Sequence, residues 1–180
     1  MSLEKITRLD LGSGTKKLNG YVSVDVLAKL GPDIVHDLNT FPYPFLENSV
    51  DAINMDNVLE HLVDPIRVIG EIHRILKVGG KATIKVPYFR SYWACIDPTH
   101  KHFFSASYFS YFDPDNELCK TYNYFDFAFK CNKVLFNDGL NNGLFKTFVA
   151  AIANRFCYKY ELYLSHLFPL DEVTFEIEKI

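Results

Sequence analysis

The chain has no Cys-x-x-Cys pair. Its four cysteines, Cys95, Cys119, Cys131 and Cys157, stand far apart, which excludes a zinc ribbon or a thioredoxin-type motif. They are expected to be reduced intracellular thiols, mostly buried. Positive charge is not in excess either. The formal net charge is −3, so no basic stripe for nucleic acid is expected. A long hydrophobic run is also missing. The most apolar stretch, Leu144 to Leu167, is interrupted by Lys146, Arg155, Lys159 and Glu161, which excludes a transmembrane span. Met1 to Lys5 carries no apolar signal core, and a cytoplasmic location is expected. Repeats, low-complexity tracts and linkers are not seen. What is there suits a soluble globule: 180 residues, 48% hydrophobic and 23% charged, enough for one domain with a real core. Aromatic residues reach 16%, concentrated after Tyr88, and read as either a dense core or an aromatic pocket.

The first half alternates short apolar runs with turns. Strands are predicted at Thr7–Leu11, Tyr21–Val24, Asp33–Asp37 and Val50–Met55. Asp64 and Pro65 open a helix whose apolar face is Ile66, Ile69, Ile72 and Leu76, and Gly79-Gly80 is read as its stop. A fifth strand follows at Lys81–Val86. Beyond Pro87 lies an aromatic, histidine-rich loop to Phe112, with a short helix at Ala106–Tyr111. A long strand is predicted at Tyr122–Phe136 and a turn at Asn137-Asp138-Gly139. Asn142 is read as the cap of one long helix reaching Leu167 and covering the sheet, and a last strand at Glu172–Ile180. The alternation predicts a single α/β domain over 1–180 with a mostly parallel twisted sheet, an antiparallel edge strand and helices on both faces. Within it, 1–87 forms a cofactor-binding core, 88–136 an acceptor-site loop and strand, and 137–180 a C-terminal helix and strand.

Ligands in such sheets sit at the carboxyl ends of the strands, near the reversal of strand order. Gly12, Asp25, Asp37, Asn57 and Pro87 all fall there. The Gly12-x-Gly14 turn lets a ligand touch backbone. Asp25, closing the next strand, can accept from both hydroxyls of a ribose. A dinucleotide fingerprint would need a third glycine where Lys17 stands, and a helix where Gly14 to Tyr21 leaves little room. A nucleoside ligand without phosphates, such as S-adenosylmethionine, fits better.

Further motifs extend this pattern. Asp10-x-Gly12-x-Gly14 and Gly20-Tyr21-Val22-Ser23-Val24-Asp25 are followed by His36-Asp37-Leu38, Asn57-Val58-Leu59-Glu60-His61-Leu62 and Glu71–Gly80. In order and spacing, residues 6–104 resemble class I S-adenosylmethionine-dependent methyltransferases, type 11 above all. The resemblance implies a Rossmann-like methyltransferase fold and S-adenosyl-L-methionine as cofactor. It places Gly12, Ser13 and Gly14, after Leu11, against the methionine moiety and sugar. Asp10 would lie near the methionine ammonium, Asp25 on the ribose and Val26 beside the adenine. Asp37 would accept from the adenine N6, the Leu38 amide would meet the ring, and Asn57 and Val58 would line the cofactor near the sulfonium. Lys16 departs from the family's frequent third glycine, and the first crossover is short.

Methyl transfer needs chiefly positioning and exclusion of water. A base serves only an acceptor that holds its proton late. His61, His100 and His102 are the candidates, the latter two in Asp97-Pro98-Thr99-His100-Lys101-His102-Phe103-Phe104. No metal site is expected. His36, His73 and His166 read as structural or solvent-facing. Tyr88, Phe89, Tyr92 and Trp93 are candidates for the acceptor pocket. The acceptor expected from the resemblance is a small molecule or saccharide, methylated at oxygen. Two alternatives stand: a dinucleotide-dependent oxidoreductase and a non-catalytic cofactor-binding subunit. Oligomeric state is not legible.

Overall fold

The computed structural model describes residues 7–137 and 143–180. Its seven strands are β1 (Arg8–Leu11), β2 (Val22–Asp25), β3 (Ile34–Val35), β4 (Val50–Asp56), β5 (Leu76–Pro87), β6 (Phe129–Asn137) and β7 (Glu172–Lys179). They form one sheet in the order β3-β2-β1-β4-β5-β7-β6. Strands β1 to β5 pair in parallel, and β7 is antiparallel to both β5 and β6. The fold class expected from the sequence is therefore observed, with the antiparallel strand one place in from the edge. Strand order reverses at β1, whose neighbours are β2 and β4, and a crevice is expected beyond its end.

One detail differs from expectation. On one face of the sheet lie Leu9, Leu11, Ile53, Met55, Ala82, Ile84, Val86, Val173, Phe175 and Ile177, all buried. Alternate residues put Arg8, Asn54, Asp56, Thr83, Lys85 and Glu176 on the other face, where little of the chain covers them. Helices on both faces are thus not found among the described residues. The connections 12–21 and 26–33 are too short for crossover helices and hold turns, including the 3-10 turn Ala28–Leu30. Opposite charges make the open face compatible with water, as in Lys85 Nζ to Asp56 Oδ1 at 2.7 Å.

Helix α1 (Pro65–Ile75) starts as expected. The Asp64 carboxylate accepts from the Arg67 amide, Pro65 occupies the first turn, and Val68, Ile69, Ile72 and Ile75 are buried. Gly79-Gly80 does not stop it. The helix ends at Ile75, and the glycines lie inside β5, in a bulge between the Val50–Leu76 and Ala52–Lys81 pairs. Gly79 takes φ 77° there. Lys179, at the end of β7, caps the helix instead. Its ammonium donates to the His73 and Leu76 carbonyls at 2.6 and 2.9 Å and to Asn48 Oδ1 at 2.8 Å.

The second half departs further. Short helices α2 (Tyr92–Ile96) and α3 (Glu117–Tyr122) precede β6, so the strand expected from Tyr122 starts only at Phe129. The short helix expected at Ala106–Tyr111 is a 3-10 turn over Tyr108–Tyr111. The long C-terminal helix is two, α4 (Leu144–Arg155) and α5 (Cys157–Tyr163), broken at Phe156 with φ −134° and ψ 52°. The turn read at Asn137-Asp138-Gly139 runs into undescribed residues, and the Asn142 cap lies wholly outside the described ones. Val149, Ala153 and Tyr160 turn inward, and Tyr160 meets Phe136 with ring centroids 4.9 Å apart. Asn154 satisfies the edge of β6, donating to the Phe136 carbonyl and accepting from its amide. Part of the aromatic set of this half is core, with Phe104, Phe109, Phe112, Phe129, Phe136 and Phe175 buried, but a larger part, including Tyr92, Trp93, Tyr124, Phe145, Phe148 and Tyr163, is exposed.

Candidate active site

Three openings run along the carboxyl edge of the sheet. The first, about 280 Å³, is lined by Gly12, Asp25, Val26, Asp37, Leu38, Asn57, Val58 and His61 among others. The second, about 510 Å³, is lined by Asp10, residues 12–18, Asn54, Asp56 and Asn57. The third, about 450 Å³, is lined by Asn57, Glu60, His61, Pro87, Trp93, Ile96, Asp97, His100, Asp171 and Glu172. Asn57 touches all three. Every residue expected at the cofactor except Leu11 therefore lines one of two adjoining hollows. Leu11 is fully buried, with its side chain in the core.

The turn after β1 is built by β2. The amides of Gly12 and Ser13 donate to the Val24 carbonyl at 2.8 and 3.1 Å. The Gly14 amide donates to Asp25 Oδ2 at 2.9 Å, and the Leu27 amide to Asp25 Oδ1 at 2.8 Å. These bonds fix the carboxylate and leave each oxygen a second lone pair for a donor from the hollow. Gly12 has φ 72°, and a Cβ there would stand 2.4 Å from Val58 Cγ2. Its bareness admits Val58, whereas Gly14, at φ 56°, borders open space. The crossover is pinned beyond this turn by Asp33. Its Oδ2 accepts from the Ser23 amide and hydroxyl, at 2.9 and 2.6 Å.

Asp10 is buried beside the second hollow and accepts from Asn54 Nδ2 at 2.7 Å. Burial raises its carboxyl above the ordinary range. Asn57 stands at the junction in the left-handed region, with φ 53°. Its Nδ2 donates to Glu172 Oε1 at 3.0 Å, while its own Oδ1 is buried without a partner. The Ser13 hydroxyl is buried and unpartnered too.

The third opening holds the histidines. His100 donates from Nδ1 to the Ala94 carbonyl at 3.1 Å, since that oxygen can only accept. The Thr99 hydroxyl donates to Asp97 Oδ1 at 2.6 Å, so it accepts from His61 Nδ1, 2.9 Å away. In its neutral form each imidazole therefore carries its lone pair on Nε2. Those nitrogens lie 4.0 and 3.9 Å from Glu60 Oε1. Burial pushes the Glu60 carboxyl up to about 8, and neither of its oxygens has a partner. Burial, and then the neighbouring His100, hold His61 below the usual imidazole value. His102 is not brought into this group. Its Nε2 meets the Leu62 carbonyl at 3.0 Å, away from the opening.

Trp93 lines the opening, but Tyr88 is core, packed edge-on against Phe136. Sequence reasoning missed Glu60, Glu172 and Asp171 as site residues. Glu60 was visible only as one letter in the motif after β4. An acid between Leu59 and His61 reads locally as a solvated charge, and its burial comes from Lys101, whose amide donates to the Glu60 carbonyl at 2.8 Å and folds the loop over it.

Residues 23–84 match the family described as "Methyltransferase domain". No curated protein matches the sequence. Solved structures share the fold at low identity. A SAM-dependent methyltransferase from Archaeoglobus fulgidus is 17% identical, with 98% of this chain and 88% of that one covered and a TM-score of 0.58. A chain from the complex between the Haloferax volcanii Trm112 methyltransferase activator and a methyltransferase is 17% identical, covering 98% and 83%, with a TM-score of 0.59. The [4+2]-cyclase SpnF is 17% identical, covering 97% and 74%, with a TM-score of 0.56.

Proposed function

We propose that this chain, which belongs to the class I S-adenosylmethionine-dependent methyltransferases, methylates an oxygen of a small-molecule or saccharide acceptor held between Trp93 and His100. Membership and cofactor follow from the family match and the fold, and they displace the dinucleotide alternative. The acceptor is the proposed part, because one fold serves many reactions and a cyclase shares this one. Bound in the first two hollows, S-adenosylmethionine supplies an electrophilic methyl group whose sulfur leaves with the C–S electron pair. In this reading Asp25 holds the ribose, Asp37 and Leu38 frame the adenine beside Val26, and Asp10 faces the ammonium. Gly12, Ser13 and Gly14 shape the passage, and Asn57 and Val58 stand at the reacting end.

The observation that carries the reading is Asn57. One residue borders the two cofactor hollows and the acceptor opening, so the methyl position and the acceptor would meet beside it. The cleft wall then orients the acceptor hydroxyl in line with the bond that breaks. The proton it releases can pass to the lone-pair Nε2 of His61 or His100. The organisation proposed is one domain over 1–180, with the acceptor side supplied by the stretch from Pro87 to His100 together with Asn57, Glu60, His61, Asp171 and Glu172 rather than by 88–136 alone. Among the described residues no helix is long and apolar enough to cross a membrane.

Calorimetry with S-adenosylhomocysteine and NAD, followed by transfer of labelled methyl to a panel of hydroxylated small molecules and sugars, tests this. Saturable one-to-one binding of the first, none of the second, and label on an acceptor oxygen are expected. Label recovered only on nitrogen or carbon would overturn the acceptor assignment.

A further inference from the structure

In the third opening a buried carboxyl group without a hydrogen-bond partner stands beside two imidazole nitrogens. His61 and His100 have each committed their Nδ1 hydrogen elsewhere, to the Thr99 hydroxyl and the Ala94 carbonyl. Their remaining Nε2 atoms both face Glu60, whose side chain is 1% exposed and whose two oxygens have no partner. The gaps of 3.9 and 4.0 Å are too long for hydrogen bonds. One ligand atom from each of the three residues lies within 4.8 Å of the others. Two imidazole nitrogens and a buried, unpartnered carboxyl gathered this closely make a ligand set that a cation would satisfy. We infer that Glu60, His61 and His100 form a binding site for a divalent first-row transition-metal ion, open on its outer side to the acceptor cleft.

The dimensions suit such an ion. A tetrahedral ion with bonds of about 2.0–2.1 Å holds its ligand atoms about 3.4 Å apart. Small side-chain rotations close the remaining gap. The outer partners are already in place. The Ala94 carbonyl, and Thr99 backed by Asp97, fix each ring and its tautomer in the way metal-bound histidines are usually held. Two imidazoles and one carboxylate favour zinc, cobalt or iron over magnesium, which prefers an all-oxygen shell. Three protein ligands leave coordination positions free on such an ion, and Trp93 and Asp97 line the same opening, with Asp97 Oδ2 4.0 Å from His100 Nε2.

This site bears on the acceptor, and in that respect it rests on the methyl-transfer reading. An oxygen of the acceptor would occupy an open position, with a neighbouring oxygen beside it. The class of acceptor is then a hydroxyl flanked by a second oxygen, as in a vicinal diol or a hydroxy acid. In the metal-loaded protein the hydroxyl gives its proton to water at the cleft mouth, and the imidazole lone pairs serve as ligands. The oxygen then forms its bond to the methyl carbon as sulfur takes the C–S pair.

The test starts from protein stripped with chelator and titrated with Co²⁺, followed by the cobalt visible spectrum, and with Zn²⁺ and Mg²⁺ by calorimetry. One Co²⁺ or Zn²⁺ per chain and no saturable Mg²⁺ are expected. Glu60→Gln and His100→Ala should each weaken Co²⁺ binding by more than 100-fold. Thr99→Val should weaken it by about 10- to 100-fold, as outer partners do. S-adenosylhomocysteine affinity, measured on the same samples, shows that each variant is folded. Absence of saturable Co²⁺ and Zn²⁺ binding, or equal affinity in the Glu60→Gln and His100→Ala variants, would overturn the site. Metal binding without S-adenosylhomocysteine binding would instead overturn the methyl-transfer reading and leave the site standing.

Discussion

Glu60→Gln should remove a pH-dependent loss of stability. In the folded protein burial raises the Glu60 carboxyl from 4.5 to about 8. The folded state therefore binds more protons than the unfolded chain between those values. The stability associated with the neutral carboxyl is fully present below about 4.5 and is lost as pH rises through about 8. At roughly 1.4 kcal/mol per pH unit, the whole loss is of order 3–5 kcal/mol. For a chain of this size that is about 6–20 °C in Tm. The amide has nearly the same shape and does not ionise. Wild type and variant are compared by urea and thermal unfolding from pH 5 to 9, with chelator present throughout. The variant should gain on the wild type by about 3–5 kcal/mol across that range. Two stability curves that run parallel would show that Glu60 ionises freely, and the buried acid described here would be wrong.

Gly12→Ala puts a methyl 2.4 Å from Val58 Cγ2 at a positive φ. It should lower stability by about 2–4 kcal/mol in thermal melts, and adding Val58→Ala should restore part of the loss. Lys179→Met leaves the Asn48, His73 and Leu76 oxygens without their donor. A loss of about 2–4 kcal/mol is expected in denaturant unfolding, and a change under about 0.5 kcal/mol would refute the capping role.

That Gly12, Gly14 and Asp25 would meet at one crevice was legible because their placing is written in short-range patterns. A turn that requires Gly12 and an acid ending β2 are local facts, and the sheet merely brings them together. The start of α1 was legible for the same reason, since Asp64 and Pro65 act on their own backbone. Gly79-Gly80 misled because a residue with positive φ serves a helix stop and a β-bulge equally well, and only pairing with β4 decides. Expecting helices on both faces followed a general crossover rule, which fails where 12–21 and 26–33 leave no room for a helix. The long C-terminal helix failed at Phe156, where the apolar periodicity runs on but the backbone turns. Glu60 was illegible because its burial depends on a loop some forty residues later in the chain, anchored by Lys101.

The central claim is that the crevice beyond β1 and β2 grips S-adenosylmethionine through Asp25. Calorimetric titration of Asp25→Ala with S-adenosylhomocysteine tests it most directly. Two bonds to a charged acceptor, at roughly 1.5–3 kcal/mol each, predict an affinity at least about tenfold and up to about a thousandfold weaker, with the far-ultraviolet spectrum unchanged. Wild-type affinity in that variant would contradict the account.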